Sequence, residues 1–193
     1  MAEAIFTSLI RYGISLYCRP RISVNDQSNS TLKQITIYQN DVMRIITGKK
    51  VKDKVSIESL RKSTGTTSVN HLICYHILMD MYNILKDNTS ATLKEMFTEK
   101  LGSSNITTRS ATQNKVTAPV NYGRNNDFSY YGPTLWNLLP DHIRNAKIER
   151  PEATDKQLTN KEKTLNKQKS KATLKKAFKS NINKWISQNI PTD

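Results

Sequence analysis

With 193 residues, the chain is long enough for one domain with a sizeable core, and its 36% hydrophobic content is lean but too high for full disorder. Thirty basic residues against sixteen acidic ones give a net charge of +14, which makes polyanions the first partners to consider: nucleic acid, then an anionic membrane surface, with plain solubility as the alternative use of the lysines. Two cysteines, Cys18 and Cys74, are too few for a disulfide scaffold or a four-thiolate zinc site, and no apolar run approaches the ~20 residues of a membrane span.

The apolar residues Ile5, Phe6, Leu9, Ile10, Ile14 and Leu16 predict a helix over Ala2–Cys18 that ends at Arg19-Pro20. A secretory leader would begin with positive charge. Here Glu3 comes first and Arg11 interrupts the apolar stretch, so a core helix is expected. A second helix should run from about Thr31 to Thr47, capped by Asn29 or Ser30 and closed by Gly48, with Leu32, Ile35, Val42, Ile45 and Ile46 as its apolar stripe. The basic stretch Lys49, Lys50, Lys52 and Lys54 follows, and Ser56 caps a short helix through Ile57 and Leu60 that breaks at Thr64-Gly65-Thr66.

Val69–Lys86 is the strongest helical pattern, with Val69, Leu72, Ile73, Ile77 and Ile84 on one stripe interrupted by His76 and Asp80. Ser90 should cap a further helix containing Leu93, Met96, Phe97 and Leu101. Gly102–Gly123 is rich in Ser, Thr and Asn and reads as an extended segment or a weak hairpin. Asp127–Ala146 turns apolar again, and short helices broken at Gly132-Pro133 and at Pro140 are expected. Phe128, Leu135, Trp136 and Leu139 are expected to pack against the Val69–Lys86 helix, whose long stripe needs a partner. Lys147–Lys171 has eight basic and four acidic residues and almost nothing apolar, so it reads as a flexible, protease-sensitive linker. A basic amphipathic helix over 172–189 closes the pattern, with Leu174, Phe178, Ile182, Trp185 and Ile186 on one face and Lys175, Lys176, Lys179 and Lys184 on or beside the other. The expected fold is therefore mostly α: a small bundle of five or six helices over 1–146 with an irregular central stretch, the linker 147–171, and a tethered C-terminal helix.

Three pieces of the sequence resemble one family in the family's own order. The first is Arg11-Tyr12-Gly13-Ile14 followed by Ile37-Tyr38-Gln39-Asn40-Asp41-Val42-Met43-Arg44-Ile45-Ile46-Thr47-Gly48. The second is Thr108-Arg109 with Pro119 downstream. The third is Phe128-Ser129-Tyr130-Tyr131-Gly132-Pro133-Thr134-Leu135-Trp136-Asn137-Leu138-Leu139-Pro140, in which Phe128, Gly132, Trp136, Asn137 and Pro140 form the most specific motif; Phe178-Lys179 comes after it. Together they are similar to the region that follows the polymerase core in LINE-type, jockey-like reverse transcriptases of non-LTR retrotransposons. The linker at 147–171 is longer than the family's usual gap. The resemblance implies a C-terminal fragment that contacts RNA or DNA without reading sequence, with the finger and palm regions and their paired aspartates left out.

The residues agree that chemistry is not the expected activity. Polymerase catalysis needs clustered carboxylates holding two metal ions, and the acidic residues here are scattered with no Asp-Asp pair; the isolated chain is expected to be no enzyme. His71, Cys74 and His76 invite a metal reading, but position 76 turns away from 71 and 74 on a helix, and burial of Cys74 and His76 in the core is expected instead. No cofactor, metal or small-molecule substrate is called for. The candidate contacts to nucleic acid are Lys49, Lys50, Lys52, Lys54, Arg124, Lys175, Lys176 and Lys179, with Tyr122, Tyr130 and Tyr131 either stacking on bases or packing in the core. An intracellular location, nuclear or cytoplasmic, is expected. Two other readings stay open: a protein-interaction module that docks the apolar face of its last helix in a partner's groove, and a decayed reading frame without selected function.

Overall fold

The computed structural model describes residues 8, 12–14, 18–26, 30–86, 91–98, 116, 128–145 and 160–192, with 160–167 as backbone course only. Among the described residues there are seven helices and no strand: α1 (Ser30–Thr47), α2 (Ile57–Thr64), α3 (Val69–Lys86), α4 (Ala91–Thr98), α5 (Phe128–Leu138), α6 (Asp141–Arg144) and α7 (Asn160–Asn189), with one 3-10 turn at Val51–Asp53. The mostly helical bundle expected from the sequence is what is found.

The centre of the bundle is α3. Ten of its eighteen residues are buried, too many for one stripe, because α1, α4, α5 and α7 all pack on it. Leu135 and Leu139 are buried, Phe128 is half-buried, and Trp136 is 1% exposed; α5 makes the most extensive contact with α3, as its apolar density led us to expect. Phe178 of α7 completes this core. Its ring stacks on Tyr82 of α3 at 4.4 Å between centroids and lies 5.8 Å from Trp136. Ile182, Ile186 and Ile190 continue the buried edge of α7, each contributing about 1.5–3 kcal/mol by leaving water.

α7 runs antiparallel to α3. Tyr82 meets Phe178, and eleven residues earlier His71 meets the segment after α7, its Nε2 lying 2.9 Å from the Ile190 carbonyl oxygen. Beside it, fully buried Asn70 fastens two remote segments. Its Oδ1 accepts from the Arg21 backbone N–H at 2.8 Å, and its Nδ2 donates to the carbonyls of Arg21 at 2.8 Å and Pro191 at 3.0 Å.

Several expectations need correction. α1 ends at Gly48 as foreseen: φ of 65° places Gly48 in the left-handed region, and the Lys49 N–H reaches back to the Arg44 carbonyl at 3.0 Å. Its buried edge, however, is Leu32, Gln39 and Met43, while Ile45 is 74% exposed and Ile46 is also exposed. Gln39 takes the inward place because its Nε2 donates to the Thr67 carbonyl at 2.7 Å. Gly132-Pro133 does not break α5. The helix runs through both, burying them, and loses only one backbone bond to the proline; Pro140 does separate α5 from α6. The predicted linker 147–171 is helical from Asn160 onward. Lys, Gln, Glu and Leu favour the helix intrinsically, and extending a helix already anchored at Phe178 needs no new nucleation. Residues 147–159, the Gly102–Gly123 stretch apart from Val116, and most of the first predicted helix lie outside the described residues. Within that helix, a turn at Tyr12-Gly13, with Gly13 at φ 71°, precludes one continuous helix over 2–18.

Gly132 sits against α3 so closely that an added Cβ would lie 2.7 Å from the Met81 sulfur and 3.2 Å from its Cγ. Met81 is fully buried, so a shift of its thioether must be taken up by the packed core around it. Gly132→Ala is expected to destabilise the fold by about 1–3 kcal/mol through overpacking. Urea denaturation checks this; an unchanged midpoint would show that Met81 yields without cost.

Candidate nucleic-acid interface

The basic residues fall on two kinds of support. After Gly48 the chain does not trail off. The Lys50 N–H donates to the Asp53 carboxylate at 2.7 Å, Val51–Asp53 form the 3-10 turn, and the Ser59 N–H donates to the Ser56 hydroxyl at 3.2 Å to open α2. Lys49, Lys50, Lys52 and Lys54 are therefore held on a defined turn, and all four are exposed. Asp53 lies among them and lowers the local charge.

The second support is α7, where nine lysines stand against one glutamate in thirty residues. Lys169, Lys176, Lys179 and Lys184 are exposed. Lys175 is half-buried and has an interaction within the fold, so it belongs less to the outward face than Lys176 and Lys179. Lys169 and Lys176, seven positions apart, share that face two turns from each other. The helix is about 45 Å long at 1.5 Å per residue. Because Lys171 and Leu174 lie level with Lys86 at the end of α3, the eleven residues 160–170 run on for about 16 Å beyond it. α1 packs mainly on α2 and α3, and α7 mainly on α3 and α6, so both basic segments rest on elements that lean on the central helix.

Most of the other predicted site residues that are described have structural duties. Arg124 and Tyr122 lie outside the described residues. Tyr131 is buried, with the Arg19 guanidinium 5.7 Å over its ring; burial raises its phenol above the ordinary value, against the lowering effect of Arg19. Tyr130 is exposed and is the described tyrosine of the three that a base could reach. Phe128 meets Phe97 edge to face at 6.1 Å. Asn137 behaves as a backbone mimic: its side-chain amide exchanges two hydrogen bonds with Val116, N–H to Oδ1 at 2.9 Å and Nδ2 to the carbonyl at 2.8 Å. The Pro140 carbonyl accepts from the N–H groups of Ile143 and Arg144 and opens α6.

Carboxylates with assigned partners serve turns and helix ends. Asp26 accepts from the N–H groups of Ile22 and Ser23, and Asp41 pairs with Arg44 at 3.8 Å. Cys74 is buried and His76 half-buried, and no cluster of three His, Cys, Asp or Glu able to hold a metal occurs among the described residues. No helix among the described residues is long and apolar enough to cross a membrane. Sequence reasoning missed Arg144, whose side chain is 3% exposed and paired with the Asp141 carboxylate; the i, i+3 spacing was visible, but nothing local signals burial. No protein-family model matches the chain, and no curated protein or solved structure is similar enough to show a relationship.

Proposed function

We propose that this chain is a non-catalytic nucleic-acid-binding fragment derived from the C-terminal region of a non-LTR retrotransposon reverse transcriptase, gripping RNA or DNA through phosphates without reading sequence. The observation that carries the binding reading is α7. The helix has nine lysines against one glutamate in its sequence, and its exposed Lys169, Lys176, Lys179 and Lys184 offer cations to the phosphates of a polyanion. The descent rests on the ordered motifs at 11–14, 37–48 and 128–140. The competing use of α7, docking its apolar face in a partner's groove, is weakened because Phe178, Ile182 and Ile186 are buried in the chain's own core.

Fluorescence anisotropy with unrelated single-stranded oligonucleotides across a salt series tests the proposal. Affinity should fall with a log–log slope of about −0.7 per phosphate neutralised. Changing Lys169, Lys176 and Lys179 together to alanine should flatten the slope by roughly 1–2 units, since two or three of these exposed side chains touch phosphate. An absence of binding at low salt, or a slope that the triple variant leaves unchanged, would refute the assignment of α7.

A further inference from the structure

The start of α6 and the last turns of α7 frame an open cleft of about 420 Å³, within the ~300–1,000 Å³ range of small-molecule sites. Both walls are fixed by the core. Ile143 anchors α6 by burial, and Ile182 and Ile186 anchor the last turns of α7. Trp185 stands between those two in sequence, packs against the core and is half-buried. Trp185 and Pro140 give the cleft its apolar surface, and His142 adds a second aromatic ring. Asn181 and Gln188, about one turn before and one turn after Trp185, add two side-chain amides, and Lys184 adds an ammonium group. His142, Asn181, Lys184 and Gln188 are exposed, so a ligand reaches them without opening the fold. None of the lining residues is acidic, and the nearby Asp141 carboxylate is paired with Arg144.

We propose that this cleft seats one unpaired nucleobase of a bound single strand. The inference rests on the nucleic-acid reading and adds to it a contact with a base, where the outward lysines of α7 touch phosphates alone. An unpaired base presents a flat π-face and an edge that both donates and accepts. The indole and imidazole rings are stacking platforms for the face. Each amide supplies two N–H donors and a carbonyl acceptor for the edge, and Lys184 supplies a cation for the phosphate next to the base. Lys179 stands five positions before Lys184, about 7.5 Å along the helix axis, so a strand held by Lys179 comes within reach of the cleft. A base inside a duplex keeps its faces stacked on its neighbours and does not enter, so the site favours single strands.

The test uses the full chain and two probes of equal length and phosphate count: a mixed-sequence oligonucleotide, and the same backbone carrying abasic tetrahydrofuran residues throughout. At fixed salt the wild-type chain should bind the base-bearing strand about tenfold tighter than the abasic one, and that strand alone should quench the Trp185 fluorescence. His142→Ala, and Asn181→Ala with Gln188→Ala, change exposed positions. They should keep the wild-type Tm and salt slope while the preference for bases shrinks to about threefold or less. Trp185→Leu should lose the preference, and Trp185→Phe, which keeps a ring, should retain part of it. Equal affinity of the wild-type chain for the two strands, with a normal salt slope, overturns the base site and leaves the phosphate reading standing. A preference that survives undiminished in His142→Ala and in the Asn181–Gln188 double variant puts the base elsewhere and overturns the proposal as well. An absence of binding to either strand at low salt removes the nucleic-acid reading and this site with it.

Discussion

Trp136→Ala is expected to remove about 3–5 kcal/mol of stability. The indole is 1% exposed and stands where three helices meet: it is carried by α5, which packs on α3, and it faces Phe178 of α7. Truncation deletes the largest buried side chain of the core and leaves a void walled by elements that cannot collapse without parting from one another. Against the 5–15 kcal/mol that holds a typical domain together, this is a large fraction. Guanidinium unfolding followed by circular dichroism measures it, and Trp185 remains as a fluorescent reporter on α7. A loss under about 1 kcal/mol would mean that the indole is not a keystone between helices. Trp136→Phe, which keeps most of the volume, should cost less than half as much as the alanine variant.

Asn70→Ala should cost roughly 3 kcal/mol or more. Each of its three side-chain bonds contributes about 1 kcal/mol net, and their loss leaves the Arg21 N–H and the carbonyls of Arg21 and Pro191 without this partner. Asn70→Asp is a sharper probe. It keeps an acceptor for the Arg21 N–H but turns both donor bonds into contacts between oxygens, so it should be no milder than alanine. Equilibrium unfolding gives the total, and amide exchange near Ile190 shows where it acts. Normal stability in both variants would mean that the apolar edge of α7 alone holds its C-terminal end.

The limits of α3 were legible because its apolar pattern is long and its flanks carry break signals at Gly65 and beyond Lys86. The Ser56 cap and the Gly48 terminus were legible because each is a local device that needs no tertiary knowledge. The inward face of α1 was not. Apolar periodicity favours Ile45 and Ile46, yet Gln39 is buried because a carbonyl 28 residues away satisfies its amide, and no local pattern encodes that meeting. The continuity of α5 through Pro133 depends on neighbours for the same reason, whereas the start of α7 at Asn160 reflects helix propensity extended from its anchored part. At the candidate interface, the lysine positions follow from composition alone. Which of them face outward required the fold: Lys175 is half-buried, while Lys176 and Lys179 are exposed.

The hydrogen bond from Asn70 to Pro191 joins residues 121 apart in sequence. In kinetic terms it is a late event. The α3–α5 contact closes a shorter loop, and loop-closure entropy grows with the length enclosed, so α3 and α5 are expected to meet before α7 arrives. Until α7 arrives, the surfaces of Tyr82 and Trp136 that Phe178 covers are open to water. The chain thus passes through a species with an adhesive aromatic patch at its centre, and the step that buries this patch is the docking of its most cationic helix. Repulsion among those lysines holds separate chains apart during that interval, so high salt, by screening it, is expected to lower the yield of refolding through aggregation even though it leaves the finished core untouched.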